Sequence, residues 1–236
     1  MANGTFYGVS VGPGDPELLT LKALRIIKKC PVLAVPKTKN GHTVALDIVL
    51  RALDLSDKTI LSLSFPMTRD EEAARENHGV LADRIAKVLR TGQDVAMLCL
   101  GDVSVYSTVS YLAERVKAKG FSVELVPGVP SFCAAAAKLQ RSLTEKSEPL
   151  HILPAGYPET LESLSLPGTK VLMKPGKDLT FLLGKLEKEN LLNNAAMVIN
   201  CGMEGERAVS DLTDFDETET GYFTTILIGR KDTETK

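Results

Sequence analysis

The chain has 236 residues, 44% of them hydrophobic and 25% charged, with a formal net charge of −2. This is enough apolar material for one large domain or two small ones, and it lacks the basic excess or basic stripe of a nucleic-acid binder. No run approaches the ~18–20 uncharged apolar residues that span a bilayer, and the amino terminus shows no basic region followed by an apolar run, so the expected location is the cytoplasm. Tryptophan is absent and aromatic residues make up 5%, which leaves little for base stacking.

The first half alternates strand and helix signals. Thr5 to Val11 reads as a strand, followed by a Gly-Pro-Gly-Asp-Pro turn and a helix from about Glu17 to Lys29. Asp15 suits the helix cap and Pro16 the first helical position. Leu21, Leu24 and Ile27 would share one face of that helix. Pro31–Val35 reads as a buried strand, Thr43–Leu53 as a helix and Thr59–Leu63 as a strand. A long helix over Arg69–Leu89 would carry Leu81, Ile85, Val88 and Leu89 on one stripe. Asp94–Cys99 reads as a buried strand, Ser107–Lys119 as a helix ended by Gly120, and Val123–Val126 as a strand. Such alternation predicts a mostly parallel sheet with helices on both faces. The second half is less regular. Strands are expected at Leu150–Leu153, Lys170–Met173, Ala196–Asn200 and Phe223–Ile228, and a helix at Leu179–Glu189 with Asp178 as its cap. The polar stretch Ala208–Tyr222 could hold an edge hairpin, and its acidic run Asp211–Glu219 reads as a solvated loop. A domain boundary is expected between Tyr111 and Phe121, giving domains 1–114 and 115–236.

Cys30, Cys99, Cys133 and Cys201 form no C-x-x-C pair and sit mostly in apolar segments. Buried free thiols are therefore expected, rather than disulfides or a metal site. His42, His78 and His151 show no zinc-ligand spacing, so no metal site is expected.

Three glycine-bearing turns follow strand ends, where open α/β sheets bind ligands. The first, Gly8 to Pro16, is not a dinucleotide fingerprint, because Pro13 removes a backbone donor and Pro16 stands where the third glycine belongs. The second, Leu100 to Ser107, places Gly101 where backbone can approach a ligand and Asp102 where a carboxylate could face a cationic cofactor; Asp102 or Ser104 could equally cap the next helix. The third, Val126 to Ala137, has Ser131 as a possible cap and a run of alanines that permits close packing.

The order and spacing of these turns carry more than any one of them. Val11-Gly12-Pro13-Gly14-Asp15-Pro16-Glu17-Leu18-Leu19-Thr20, then Leu100-Gly101-Asp102 with Tyr106-Ser107, then Val126-Pro127-Gly128-Val129 with Ser131 and Ala134–Ala137, resemble the tetrapyrrole methylase superfamily. These are the class III S-adenosylmethionine-dependent methyltransferases. The resemblance extends to Val171-Leu172-Met173-Lys174 and to Phe223–Gly229, and departs at Val103, where most relatives carry proline. Leu63 to Thr68, Tyr106-Ser107-Thr108 and the 171–174 segment are similar to the branch that methylates carbon 20 of precorrin-2 or cobalt-factor II in corrin biosynthesis.

The resemblance implies an α/β fold of two domains with a cofactor cleft between them, a parallel sheet in the first and a mixed sheet in the second. It implies S-adenosylmethionine as cofactor, S-adenosylhomocysteine as product and a homodimer. By position, cofactor contacts fall on Leu100, Gly101, Asp102, Val105, Tyr106, Ser131, Phe132, Met173, Cys201, Gly202, Met203, Thr224 and Thr225. The first glycine turn, including Pro13, is assigned to the substrate side. A carboxylate-rich macrocycle calls for positive charge, for which Lys37, Lys39, His42, Arg69, Arg75 and Lys174 are candidates. The sequence singles out no base for the leaving proton; Tyr106, Asp102 and His42 are the candidates. Competing expectations are methylation of another precorrin carbon or of uroporphyrinogen III, and a non-catalytic nucleotide-binding module.

Overall fold

A computed structural model of the chain describes residues 2–37, 43–66, 70–175, 179–213, 215 and 222–229. The chain divides into two compact units, Met1–Pro130 and Ser131–Lys236. The first unit thus runs beyond the expected 114/115 boundary, because the strand Ser122–Val126 pairs in parallel with Thr5–Ser10 and closes the first sheet.

The first unit is a five-stranded, all-parallel sheet. Its strands are β1 (Thr5–Ser10), β2 (Val32–Lys37), β3 (Thr59–Ser64), β4 (Val95–Cys99) and β5 (Ser122–Val126), in the order β3-β2-β4-β1-β5. Side chains alternate across the sheet, as strand geometry requires. Phe6, Ala34, Val95 and Met97 pack under helices α3 (Glu71–Leu89) and α4 (Val109–Ala118). Tyr7, Val9, Leu33, Ala96 and Leu98 pack under α1 (Leu21–Lys29) and α2 (Val44–Leu50). Being covered on both faces, β4 is buried at every position.

The expected helix Glu17–Lys29 is interrupted. A short 3-10 turn, Pro16–Leu18, is capped by Asp15, and α1 starts afresh with Thr20 accepting a hydrogen bond from the Ala23 amide. That restart rotates α1, so Ala23, Ile26 and Ile27 face the core while Leu21 is 86% exposed. The expectation that Leu21 joins the core face fails for this reason. The long helix begins at Glu71 with Asp70 as its cap.

The second unit has a mixed five-stranded sheet of β6 (Leu150–Pro154), β7 (Thr169–Met173), β8 (Ala195–Ile199), β9 (Arg207–Val209) and β10 (Thr224–Ile228), in the order β6-β7-β10-β8-β9. Only β6 and β7 run parallel; β10 is antiparallel to β7 and β8, and β9 is an antiparallel edge on β8. Leu172, Met197, Ile199, Ile226 and Ile228 pack under α7 (Leu179–Lys188), whose buried residues are Leu179, Leu182, Leu183 and Leu186. The opposite face carries Val198 and Cys201 against Ala135 of α5 (Ser131–Lys138). A short helix α6 (Pro158–Glu162) was not expected from the sequence. Asp178, expected to cap α7, lies outside the described residues, as does most of the acidic run 211–219.

None of the four cysteines is in a disulfide. Cys30, Cys99 and Cys201 are buried as expected, but Cys133 is exposed, because it lies on the outward side of α5. Among the described residues no group of three or more His, Cys, Asp or Glu side chains could hold a metal ion. No described helix is long and apolar enough to cross a membrane.

Candidate cofactor and substrate site

In the first unit the chain runs from β1 to β2 on one side and from β4 to β5 on the other. Neighbouring parallel strands whose outgoing connections part in this way leave a crevice at their carboxyl ends. The loops beyond β1 and β4 meet there. Gly12 and Gly101 exchange backbone hydrogen bonds at 3.2 and 2.7 Å. Gly101 adopts φ of +73°, a left-handed conformation that glycine takes without strain. Pro13 is buried in the turn behind this contact, and Arg51 braces the same turn by donating to the Gly14 carbonyl at 3.3 Å.

Asp102 is 8% exposed and its carboxylate is engaged within the protein. Oδ1 accepts from the Ser104 amide at 2.8 Å and from the Ser104 hydroxyl, and Oδ2 accepts from the Gly128 amide at 2.6 Å. Burial acts to raise its pKa, but these bonds, with one from Ser10, outweigh burial and hold Asp102 below the usual carboxylate range. The carboxylate ties the loop of β4 to the loop of β5, which is the capping role taken further. Each hydrogen bond to a charged acceptor contributes about 1.5–3 kcal/mol.

Ser10 was not singled out by sequence. It is the last residue of β1, fully buried, and its hydroxyl accepts from the Val103 amide at 2.9 Å. The signal was a serine at the end of a strand whose neighbours Gly8, Val9 and Val11 are apolar, since buried polar groups need partners. Gly128 lies against it; a Cβ there would sit 2.4 Å from the Ser10 Cβ and 2.8 Å from the Gly101 carbonyl oxygen. At the far end of the loop, the Ser107 hydroxyl accepts from the Val109 amide at 3.1 Å and lies 3.0 Å from the Cys99 sulfur. Between these two anchors Val105 is half-buried, and Tyr106 is 44% exposed at φ of +47°. Leu100 is half-buried, and Lys37 is exposed at the carboxyl end of β2.

In the second unit the remaining predicted residues gather at one end of the sheet. Thr225 pairs with Met173 on one side and Val198 on the other, and its hydroxyl is 3.4 Å from the Ser131 hydroxyl at the start of α5. Thr224, Thr225, Met173 and Phe132 are buried. The turn after β8 holds Cys201, Gly202 and Met203. It is pinned by Glu206, whose Oε2 accepts from the Gly202 amide at 2.7 Å and whose other oxygen pairs with Lys138. Lys138 and the Gly202 amide hold the Glu206 carboxyl below its ordinary range. Lys174 is exposed at φ of +56° just beyond β7. Of the other charged candidates, Arg75 is exposed on α3, while His42, Lys39 and Arg69 lie outside the described residues.

The chain belongs to the tetrapyrrole (corrin/porphyrin) methylase family, which it matches over residues 5–216. It is 41% identical over 151 residues to a probable cobalt-precorrin-2 C(20)-methyltransferase of Methanocaldococcus jannaschii, covering 64% of each chain. It is 30% identical to the cobalt-precorrin-2 C(20)-methyltransferase of Salmonella typhimurium, covering 97% of this chain and 98% of that one. The match to a Mycobacterium tuberculosis cobalamin biosynthesis protein is 32% identical and spans 46% of that protein. The chain thus spans less than two thirds of the length of the archaeal and mycobacterial relatives. Among solved structures it resembles uroporphyrin-III C-methyltransferase from Thermus thermophilus complexed with S-adenosylhomocysteine, at TM-score 0.70 and 25% identity, covering 96% and 97% of the two chains.

Proposed function

We propose that this chain is an S-adenosylmethionine-dependent methyltransferase that methylates carbon 20 of precorrin-2 or cobalt-factor II, acting in the cytoplasm as a homodimer. The observation that carries the reading is the end-to-end similarity to the Salmonella C(20)-methyltransferase, over 97% of this chain and 98% of that one.

S-adenosylmethionine supplies a methyl group already activated on a sulfonium. The chain's own residues then have to bind, orient and keep water away, holding the acceptor carbon about 3–3.5 Å from the methyl in line with the bond that breaks. S-adenosylmethionine has an adenine, a ribose and an amino-acid tail to be held. In the first unit Val105 offers apolar surface and the Gly101 turn backbone groups; in the second, Met173 offers apolar surface, the Thr225 and Ser131 hydroxyls paired polar atoms, and the Cys201–Met203 turn backbone groups. Phe132, Thr224, Leu100 and Tyr106 complete the proposed cofactor set. Pro13, Lys37, His42, Arg69 and Lys174 are proposed for the substrate side, the cations among them facing macrocycle carboxylates.

Lys37→Glu is expected to raise the KM for the macrocycle about tenfold, as one lost charge-assisted contact of about 1.4 kcal/mol would, with the KM for S-adenosylmethionine unchanged. An unchanged macrocycle KM removes Lys37 from the assignment. A second reading, methylation at another corrin position, draws on 30% identity over 178 residues to a precorrin-4 C(11)-methyltransferase of Mycobacterium tuberculosis. Offering both macrocycles to the purified protein separates the two.

A further inference from the structure

Three strands of the first sheet end at one buried point. Ser10 closes β1, Asp102 follows β4 and Gly128 follows β5. Ser10 is fully buried and Asp102 is 8% exposed. The Ser10 hydroxyl accepts from the Val103 amide at 2.9 Å, and the Asp102 carboxylate accepts from the Ser104 and Gly128 amides at 2.8 and 2.6 Å. A carboxylate offers about four lone-pair positions. Three of those of Asp102 are taken by the Ser104 and Gly128 amides and the Ser104 hydroxyl, which leaves it little capacity for a ligand.

We infer that Ser10 and Asp102 are positioning residues, a buried clasp that presets the Leu100–Tyr106 loop for the cofactor without touching it. The inference rests on the cofactor reading above and deepens it. The clasp sits one residue from Gly101 and two from Val105's neighbour Ser104, so it fixes where the loop backbone stands, while Val105 and Tyr106 project beyond it. Gly128 belongs to the clasp by geometry, since a side chain there would drive into Ser10 and the Gly101 carbonyl.

The test is a double-mutant cycle on the full chain, read by calorimetry with S-adenosylhomocysteine and by steady-state kinetics. Ser10→Ala and Asp102→Asn are each expected to weaken binding about tenfold and to raise the KM for S-adenosylmethionine alike, with the macrocycle KM within about twofold. The double variant should lose no more than the worse single one, because groups acting as a unit are not additive. Ser10→Cys, which keeps a weak donor, should fall between Ser10→Ala and the parent. A loss of about a hundredfold in Asp102→Asn beside normal binding in Ser10→Ala would show direct contact by the carboxylate and overturn the inference. Normal binding in every variant would overturn it as well, leaving the methyltransferase reading intact. Failure of the parent chain to bind S-adenosylhomocysteine would overturn both. If Ser10→Ala does not fold, amide exchange in the parent decides: protection at Val103, Ser104 and Gly128 already present without ligand supports a preset loop, and protection that appears only with ligand contradicts it.

Discussion

Lys170 is 6% exposed, on the face of β7 that also carries Leu172, and burial pushes its pKa down. Lys170→Met should therefore raise the melting temperature by about 2–4 °C near neutral pH, since about 1 kcal/mol shifts a chain of this size by that much. The folded pKa lies below the unfolded value of 10.5, so the penalty is complete below the folded pKa and fades as pH rises towards 10.5. The gap between parent and variant should narrow accordingly in thermal melts taken at increasing pH; a constant gap would deny the linkage. Asp102 has the opposite sign: its folded pKa lies below 3.8, so its contribution is present above 3.8 and is lost as pH falls below that value. Gly128→Ala should cost about 1–3 kcal/mol through overpacking, measured by denaturant unfolding. Among the thiols, Cys133 is exposed while burial pushes Cys30 up to about 12. A disulfide reagent should modify one thiol quickly in the folded protein, and Cys133→Ser should abolish that fast phase. The sequence reading favoured four buried thiols because it saw an apolar neighbourhood; only the rotation of α5 decides which side of the helix a residue takes.

At the scale of elements, the inner strands β2 and β4 were legible because each is an apolar run bounded by turn residues and covered on both faces, while the edge strands β3 and β5 are more exposed. Helix ends were less so. The Asp15-Pro16 pair did start a helical turn, but Thr20 offered a second cap and the chain used both, which turned Leu21 outward. Leu21→Ser should therefore leave unfolding stability within about 0.5 kcal/mol, as for an ordinary surface change. A loss of about 2–3 kcal/mol, as for a fully buried leucine, would restore the original reading. The mixed sheet was anticipated, and the expected edge hairpin is represented among the described residues by β9 alone. The turn after β8 was expected to hold cofactor, yet the Glu206 clamp on Gly202 was invisible, because it depends on Lys138 from a helix 68 residues earlier in sequence. Glu206→Gln keeps the shape but loses the ion pair, and should weaken S-adenosylhomocysteine binding several-fold in calorimetry.

On the scale of the whole molecule, the chain carries a parallel-sheet unit and a mixed-sheet unit, and the family resemblance read from three glycine turns agrees with the family match over residues 5–216. The compact units divide at 130/131 rather than at the expected 114/115, a stretch holding the end of α4 and all of β5, since a strand that follows a helix gives no local sign of which sheet it joins; β5 joins the first through its pairing with β1. The cofactor assignments rest on resemblance alone, because backbone-lined turns leave no chemical signature of their own. The central claim is methyl transfer to carbon 20. It is tested most directly by incubating the purified protein anaerobically with labelled S-adenosylmethionine and either precorrin-2 or cobalt-factor II, then locating any added methyl by mass spectrometry and NMR. One methyl added at carbon 20 of either macrocycle is the predicted result. No transfer to either, with S-adenosylhomocysteine still bound, or transfer to a different carbon, would contradict the claim.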